Sequence, residues 1–212
     1  MLTVCWSPKG GVGTSVVAAS LAVRTAASGT QTLLVDLDGD QPSILGQPDP
    51  SGPGVVDWLA AGSEVPVDAL VELESDVVDH LSLLHKGNST DALSVDRLAV
   101  LAAVLAGSSR RVIVDAGRTS DQGQWWSASG GSMLVIRPCY LGLRRVGRVS
   151  SGCEVVVVDE PGRALTVADV NTATGATLRC RLPWDPAVAR AVDAGILASR
   201  MPRSLRALGE AA

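Results

Sequence analysis

Short, almost unbroken aliphatic runs recur along this chain with room for a helix between most of them. No other feature restricts the fold so tightly. Val155-Val156-Val157-Val158 and Val112-Ile113-Val114 lack the polar alternation of a half-solvated strand. Runs of this kind suit strands covered on both faces, as in a parallel sheet flanked by helices. The pattern predicts strands at Leu2–Trp6, Thr32–Leu37, Leu81–Leu84, Arg111–Asp115, Met133–Arg137, Glu154–Val158 and Thr177–Leu182. It predicts helical stretches at 16–27, about 55–61 with 66–73, 91–106, 141–150, 166–174 and 186–194. The expected architecture is a doubly wound α/β domain with a mostly parallel sheet of about seven strands and right-handed crossovers. Residues 1–212 form one domain in this reading, with the Pro/Gly-rich segment Gln47–Gly54 as a surface loop.

The core of such a sheet has to be assembled without phenylalanine. The 212 residues contain no Phe, one Tyr and five Trp, so Val, Leu, Ala and Trp must fill the interior. Cys5, Cys139, Cys153 and Cys180 lie in or beside apolar runs with no close pairing, as expected of reduced residues in a cytoplasmic protein. A strand starting almost at Met1 leaves no room for a secretory leader. The longest clean apolar run, Leu98–Ala106, is too short to cross a bilayer.

Between the first strand and the first helix stands Ser7-Pro8-Lys9-Gly10-Gly11-Val12-Gly13-Thr14-Ser15. Glycines in this setting let successive backbone N–H groups turn inward around an anion, and the helix that follows points its positive end at the same place. Only Lys9 and Lys86 among the 18 basic residues are lysines, so a lysine in this loop argues against a chance placement. The usual phosphate loop has a lysine directly before the hydroxyl that binds magnesium. Here that slot is Thr14, and Ser15 follows it.

Two further strands end in carboxylates: Asp36-Leu37-Asp38-Gly39-Asp40 after the second, and Asp115-Ala116-Gly117 after Arg111–Val114. In a parallel sheet both endings share an edge with the glycine loop. Acids there can order the water shell of a magnesium ion and orient an attacking water.

With the loop and these strand endings together, the chain resembles the ParA/MinD group of deviant Walker A P-loop ATPases, in the SIMIBI class. Their loop reads K-G-G-x-G-K-[ST] and their second strand ends in D-x-D. The match runs from Thr3 to roughly Leu208, and includes Leu84-His85-Lys86-Gly87 and Leu182-Pro183-Trp184-Asp185-Pro186. TadZ-like, CpaE-like and actinobacterial partitioning-protein-like relatives look nearest, since they tolerate a degraded loop. The resemblance implies ATP and Mg2+ as ligands. It assigns Lys9 to a phosphate contact that reaches across a dimer interface, and Gly10, Gly11, Val12, Gly13 and Thr14 to the cradle. Ser15 becomes the metal ligand, Asp38 the residue that positions the hydrolytic water, and Asp115 the second-shell metal carboxylate. Pro183 and Asp185 fall in the segment that passes near the adenine. Val158-Asp159-Glu160 stands where relatives often carry an Asn beside the base.

The resemblance thus implies a homodimeric nucleotide switch that positions or recruits a protein partner, with weak or absent hydrolysis because Thr14 carries no charge. The alternative is a nucleotide-free scaffold that keeps the fold for protein recruitment. Charge is uneven: residues 1–106 carry 4 basic and 13 acidic residues, and residues 107–212 carry 14 and 9. Arg144, Arg145 and Arg148 form one cluster and Arg200, Arg203 and Arg206 another. Overall acidity ranks DNA binding below protein recruitment, and the arginines read as a solvated face. The tail Pro202–Gly209 has two leucines and no aromatic residue, so it predicts a packed terminal helix and at most peripheral membrane contact. Trp125-Trp126 suit a switch region, a partner face or core filling, and Trp58 suits packing of a short helix.

Overall fold

The computed structural model describes residues 1–62, 65–90, 95–119 and 131–209. Among them, eight strands form one sheet: β1 (Leu2–Ser7), β2 (Thr32–Asp36), β3 (Glu74–Val78), β4 (Leu81–Leu84), β5 (Arg111–Arg118), β6 (Gly131–Ile136), β7 (Cys153–Asp159) and β8 (Thr177–Pro183). Their order is β3-β4-β2-β5-β1-β6-β7-β8. Every pairing is parallel except β3 with β4. Among the described residues the helices are α1 (Thr14–Ala27), α2 (Gln41–Leu45), α3 (Val55–Ala60), α4 (Ala69–Glu72), α5 (Val95–Ala106), α6 (Tyr140–Val146), α7 (Val167–Thr174) and α8 (Pro186–Asp193). A 3-10 helix, Arg203–Gly209, follows.

The aliphatic runs feed apolar layers on the two sides of the sheet. Cys5, Leu34, Ile113, Met133 and Val156 pack with α1 on one side. Val4, Leu33, Val35, Val112 and Val114 meet Trp58, Leu101 and Leu105 of α3 and α5 on the other. Trp6, Leu134, Val155 and Val157 join Val146 and Val170 beneath α6 and α7. Ala18, Ala19 and Ala22 are fully buried on α1, and small side chains let that helix lie close against the central strands. Trp6 and Trp58 supply the largest buried side chains, and their indole N–H groups donate to Ser132 Oγ at 2.9 Å and the Pro66 carbonyl at 3.0 Å. Trp125 and Trp126 lie outside the described residues.

The predicted strands are all present, and β3 is an addition. It occupies the stretch after the short α4, where a helix over 66–73 was expected and only Ala69–Glu72 forms. Both sheet margins carry paired charges. On β3, Glu74 accepts two bonds from Arg110, at 2.6 and 2.8 Å. On β8, Arg179 pairs with Glu154 at 3.4 Å and Arg181 pairs with Asp159. The tail packs as expected, with Leu205 and Leu208 buried. Among the described residues no helix is long and apolar enough to cross a membrane. All four cysteines are free, with Cys5 and Cys153 buried.

Candidate functional site

The glycine loop crosses the carboxyl edge of the sheet between β1 and α1, where ligands settle in open α/β sheets. Ser7 ties its start: the hydroxyl donates to the Lys9 carbonyl at 2.8 Å and accepts from the Lys9 N–H at 3.2 Å. Gly13 takes φ 101° directly ahead of α1, a left-handed conformation that disfavours any side chain there. No atom lies within 4 Å of where a Cβ would stand on Gly10, Gly11 or Gly13, so nothing crowds the loop at its glycines. A cavity of about 320 Å³ fills that space, bordered by Lys9, Ser15, Asp38, Asp40 and Arg118 among others. Thr14 and Ser15 are largely buried at its floor.

Two carboxylates sit level on neighbouring strands, Asp36 on β2 beside Asp115 on β5, and both are fully buried. Asp36 Oδ1 accepts from the N–H groups of Asp38 and Gly39 at 3.0 and 2.7 Å, and Oδ2 accepts from that of Gln41 at 3.0 Å. Burial nevertheless raises its pKa against those donors, with the Asp38 charge adding to the rise. Asp115 accepts from Gln41 Nε2 at 2.7 Å and the Gly117 N–H at 3.1 Å, and the Ser15 hydroxyl also bonds to it. Burial first, with the neighbouring Asp36 charge adding to it, pushes its pKa up to about 7. Gln41 bridges these groups, since the same Nε2 also donates to the Ser15 carbonyl at 3.0 Å.

The Asp38 carboxylate lies outside that network, against Gly117. A Cβ on Gly117 would come within 2.3 Å of the Asp38 carboxyl carbon, and Gly117 also has φ 56°. A glycine at the tip of β5 is therefore what allows Asp38 to face the loop. Lys86, the chain's other lysine, donates to the Asp38 carbonyl at 3.1 Å.

A second cavity, about 250 Å³ and largely apolar, adjoins the first and shares Gly13, Val16 and Val192 with it. Val12, Val158, Leu182, Pro183 and Val188 contribute to its wall. The Arg137 guanidinium lies 4.6 Å from the ring centroid of Trp184 at its rim. Asp185 also borders this slot, but its carboxylate is committed. Oδ1 accepts from the Ala187 N–H at 2.8 Å, capping α8, and Oδ2 accepts from Ser204 Oγ at 2.8 Å. The Ala187 bond, then that of Ser204, lowers its pKa.

The structure thus gathers Lys9 through Ser15, Asp38 and Asp115 at one edge, with Pro183 and Asp185 beside the adjoining slot. From sequence, Asp36 counts among the strand-end acids without a role of its own, and Gln41 has none. An Asp before a turn that contains glycine is a recognisable signal for side-chain-to-backbone bonding, and it applies to Asp36. No local signal marks Gln41, whose partners lie 26 and 74 residues away.

No protein-family model matches the chain, and no curated protein matches it. Among solved structures, a ParA family ATPase from Chlorobium tepidum TLS is 20% identical, with 96% of this chain and 94% of that one covered and a TM-score of 0.78. The MinC:MinD cell division protein complex of Aquifex aeolicus is similar at 21% identity, 92% and 85% coverage and a TM-score of 0.73. The septum site-determining protein MinD of Pyrococcus horikoshii OT3, complexed with Mg-ADP, gives 17% identity, 98% and 91% coverage and a TM-score of 0.70. Shared at these identities is the architecture, and by it this chain has the ParA/MinD-type fold.

Proposed function

We propose that this protein is a ParA/MinD-type nucleotide-binding switch that binds ATP with Mg2+ on a degraded phosphate loop and hydrolyses it weakly or not at all. The observation that carries this reading is the adjacency of the two cavities, which share part of their walls. An apolar slot beside Trp184 lies next to a glycine cradle, with Gly13 on the wall of both, and one nucleotide has a flat aromatic base and a polyphosphate in that order. The residues present fit the ligand. The uncrowded space at Gly10, Gly11 and Gly13 leaves their backbone approachable. Gln41 Oε1, buried without a partner among the described residues, offers an acceptor to water near Ser15.

In this reading Lys9 and the Gly10–Thr14 backbone bind the phosphates, and Ser15 supplies its hydroxyl to the metal. Phosphate and water oxygens would join Ser15 around the ion, the hard oxygen donors that magnesium takes. Bound magnesium supplies charge neutralisation on the phosphates. Asp115, bonded to Ser15, orients that hydroxyl. Asp38, held at Gly117, positions a water. Pro183 borders the base, and Asp185 shapes the slot by fixing the start of α8. Thr14 offers a hydroxyl without charge, which weakens both binding and stabilisation of the charge that grows during phosphoryl transfer.

Dimerisation and recruitment of a protein partner follow as the output of the switch. The likeness to a MinD solved with MinC supports a protein partner, and the likeness to a MinD holding Mg-ADP supports the ligand. Titration with fluorescently labelled ATP and Mg2+ tests the reading. Saturable binding is expected, and Thr14→Lys should tighten it about ten- to a hundredfold, the worth of one charge-assisted bond. No uptake at about millimolar nucleotide, where even weak sites fill, would leave the nucleotide-free scaffold as the reading.

A further inference from the structure

The glycine loop lacks a cation at Thr14, yet the cavity in front of it has one that no loop motif supplies. Among the described residues two basic side chains border that cavity, Lys9 from the loop and Arg118 from the end of β5. Lys86 is not a substitute, because its ammonium is spent on the Asp38 carbonyl and it does not border the cavity.

The position of Arg118 is built into the sheet. The register between β1 and β5 shifts after Cys5, which sets Ser7 opposite Arg118. The Thr119 N–H then donates to the Ser7 carbonyl at 3.0 Å, and Ser7 in turn anchors Lys9. The backbone that carries Arg118 is thus clamped to the first residue of the loop. Its side chain is exposed, and none of the ion pairs among the described residues involves it. The acids Asp38 and Asp40 border the same cavity. Lys9 alone leaves that lining with more negative than positive charge, a poor seat for a polyphosphate.

We propose that Arg118 supplies from the end of β5 the phosphate-binding cation that the loop lacks at Thr14. A guanidinium suits this role, because it stays charged and its planar fork can give two parallel N–H bonds to one phosphate group. The cation has moved from the loop to the neighbouring strand tip, so the cradle keeps two positive side chains although its own motif is incomplete. This inference rests on the nucleotide-binding reading above.

The test is a titration of labelled ATP with Mg2+ against five proteins: the native chain, Thr14→Lys, Arg118→Ala, Arg118→Lys, and Arg118→Ala combined with Thr14→Lys. Arg118→Ala should weaken binding about ten- to a hundredfold, and Arg118→Lys should recover part of the loss. The double variant should return most of it, because the lysine restores charge at the position that Arg118 replaces. Thr14→Lys should therefore gain more in the Arg118→Ala background than in the native one, which a double-mutant cycle reads as coupling. If the native chain binds and Arg118→Ala binds within about twofold of it, or if Thr14→Lys fails to rescue, the assignment of Arg118 is overturned while nucleotide binding stands. If the native chain does not bind, both fall. An exposed arginine outside every ion pair among the described residues has little part in the fold, so Arg118→Ala and Arg118→Lys should melt with the native protein.

Discussion

Asp36 and Asp115 sit side by side at the same level of the sheet, and their hydrogen bonds give them different roles. Asp36 spends three acceptor positions on the backbone of residues 38–41 and so shapes the turn that presents Asp38. Asp115 accepts from the side chains of Gln41 and Ser15 besides the Gly117 N–H, so it ties separate segments together. Its folded-state pKa of about 7 lies above the usual carboxylate range, so the fold favours the protonated form. The stabilisation is complete below about pH 4 and disappears as pH rises through about 7. A rise of that size corresponds to about 4 kcal/mol at most. Asp115→Asn, neutral at every pH, should remove this slope. Denaturant unfolding at pH 5 and pH 8 checks it: the variant should gain on the wild type between the two. A gap that stays constant across that interval would mean that Asp115 titrates normally.

At the scale of elements, Asp57 links two that flank the site. On α3 it accepts from the Gly54 N–H at 2.7 Å, closing the first turn, and from the Asn88 and Ser89 N–H groups, each at 2.9 Å. The latter two belong to the segment after β4 that also carries Lys86 to Asp38. Burial works to raise the Asp57 pKa, but these backbone donors outweigh it and the net shift is downward. Its contribution is present at neutral pH and lost on acidification below the usual carboxylate range. Asp57→Ala should cost about 1–2 kcal/mol, in the range of a lost cap, seen as a lower denaturation midpoint at unchanged m-value. A midpoint equal to the wild type would show that the three bonds contribute nothing net.

The same scale shows what the sequence makes legible. Strands β1, β2, β4, β5, β6 and β7 announce themselves because burial demands near-continuous aliphatic residues, and α1 because alanines follow a glycine loop; β8, an exposed outermost strand with two arginines, shows only a weaker alternation. β3 is hidden by its position. At an edge, antiparallel and partly exposed, Glu74-Ser75-Asp76 has no apolar run to display. α2 is five residues long with a proline in its first turn, too short for any period to register. The loop, Asp38 and Asp115 are legible because phosphate chemistry imposes local spacing. Gln41 and Arg118 are not, since chain crossings bring them to the site and leave no mark in nearby sequence.

For the whole molecule, the switch reading predicts a change of mass with ligand. Light scattering on the purified chain with Mg-ATP should give about twice the mass found without nucleotide, as expected of a closed twofold pair. A mass that ignores nucleotide would remove the switch and favour the scaffold. The six arginines at 144, 145, 148, 200, 203 and 206 are all solvent-exposed.

The paired charges along the two outermost strands limit how such a pair can form. A bare, flat margin would invite a second copy to extend the ladder hydrogen bond by hydrogen bond, and to repeat the step without end. Glu74 with Arg110 guards one margin, and Arg179 and Arg181 with their acids guard the other. Strand annexation is thereby discouraged at both ends. Self-association is left to the surfaces above and below the sheet and to its carboxyl rim, where contact can end at two copies instead of growing into a fibre.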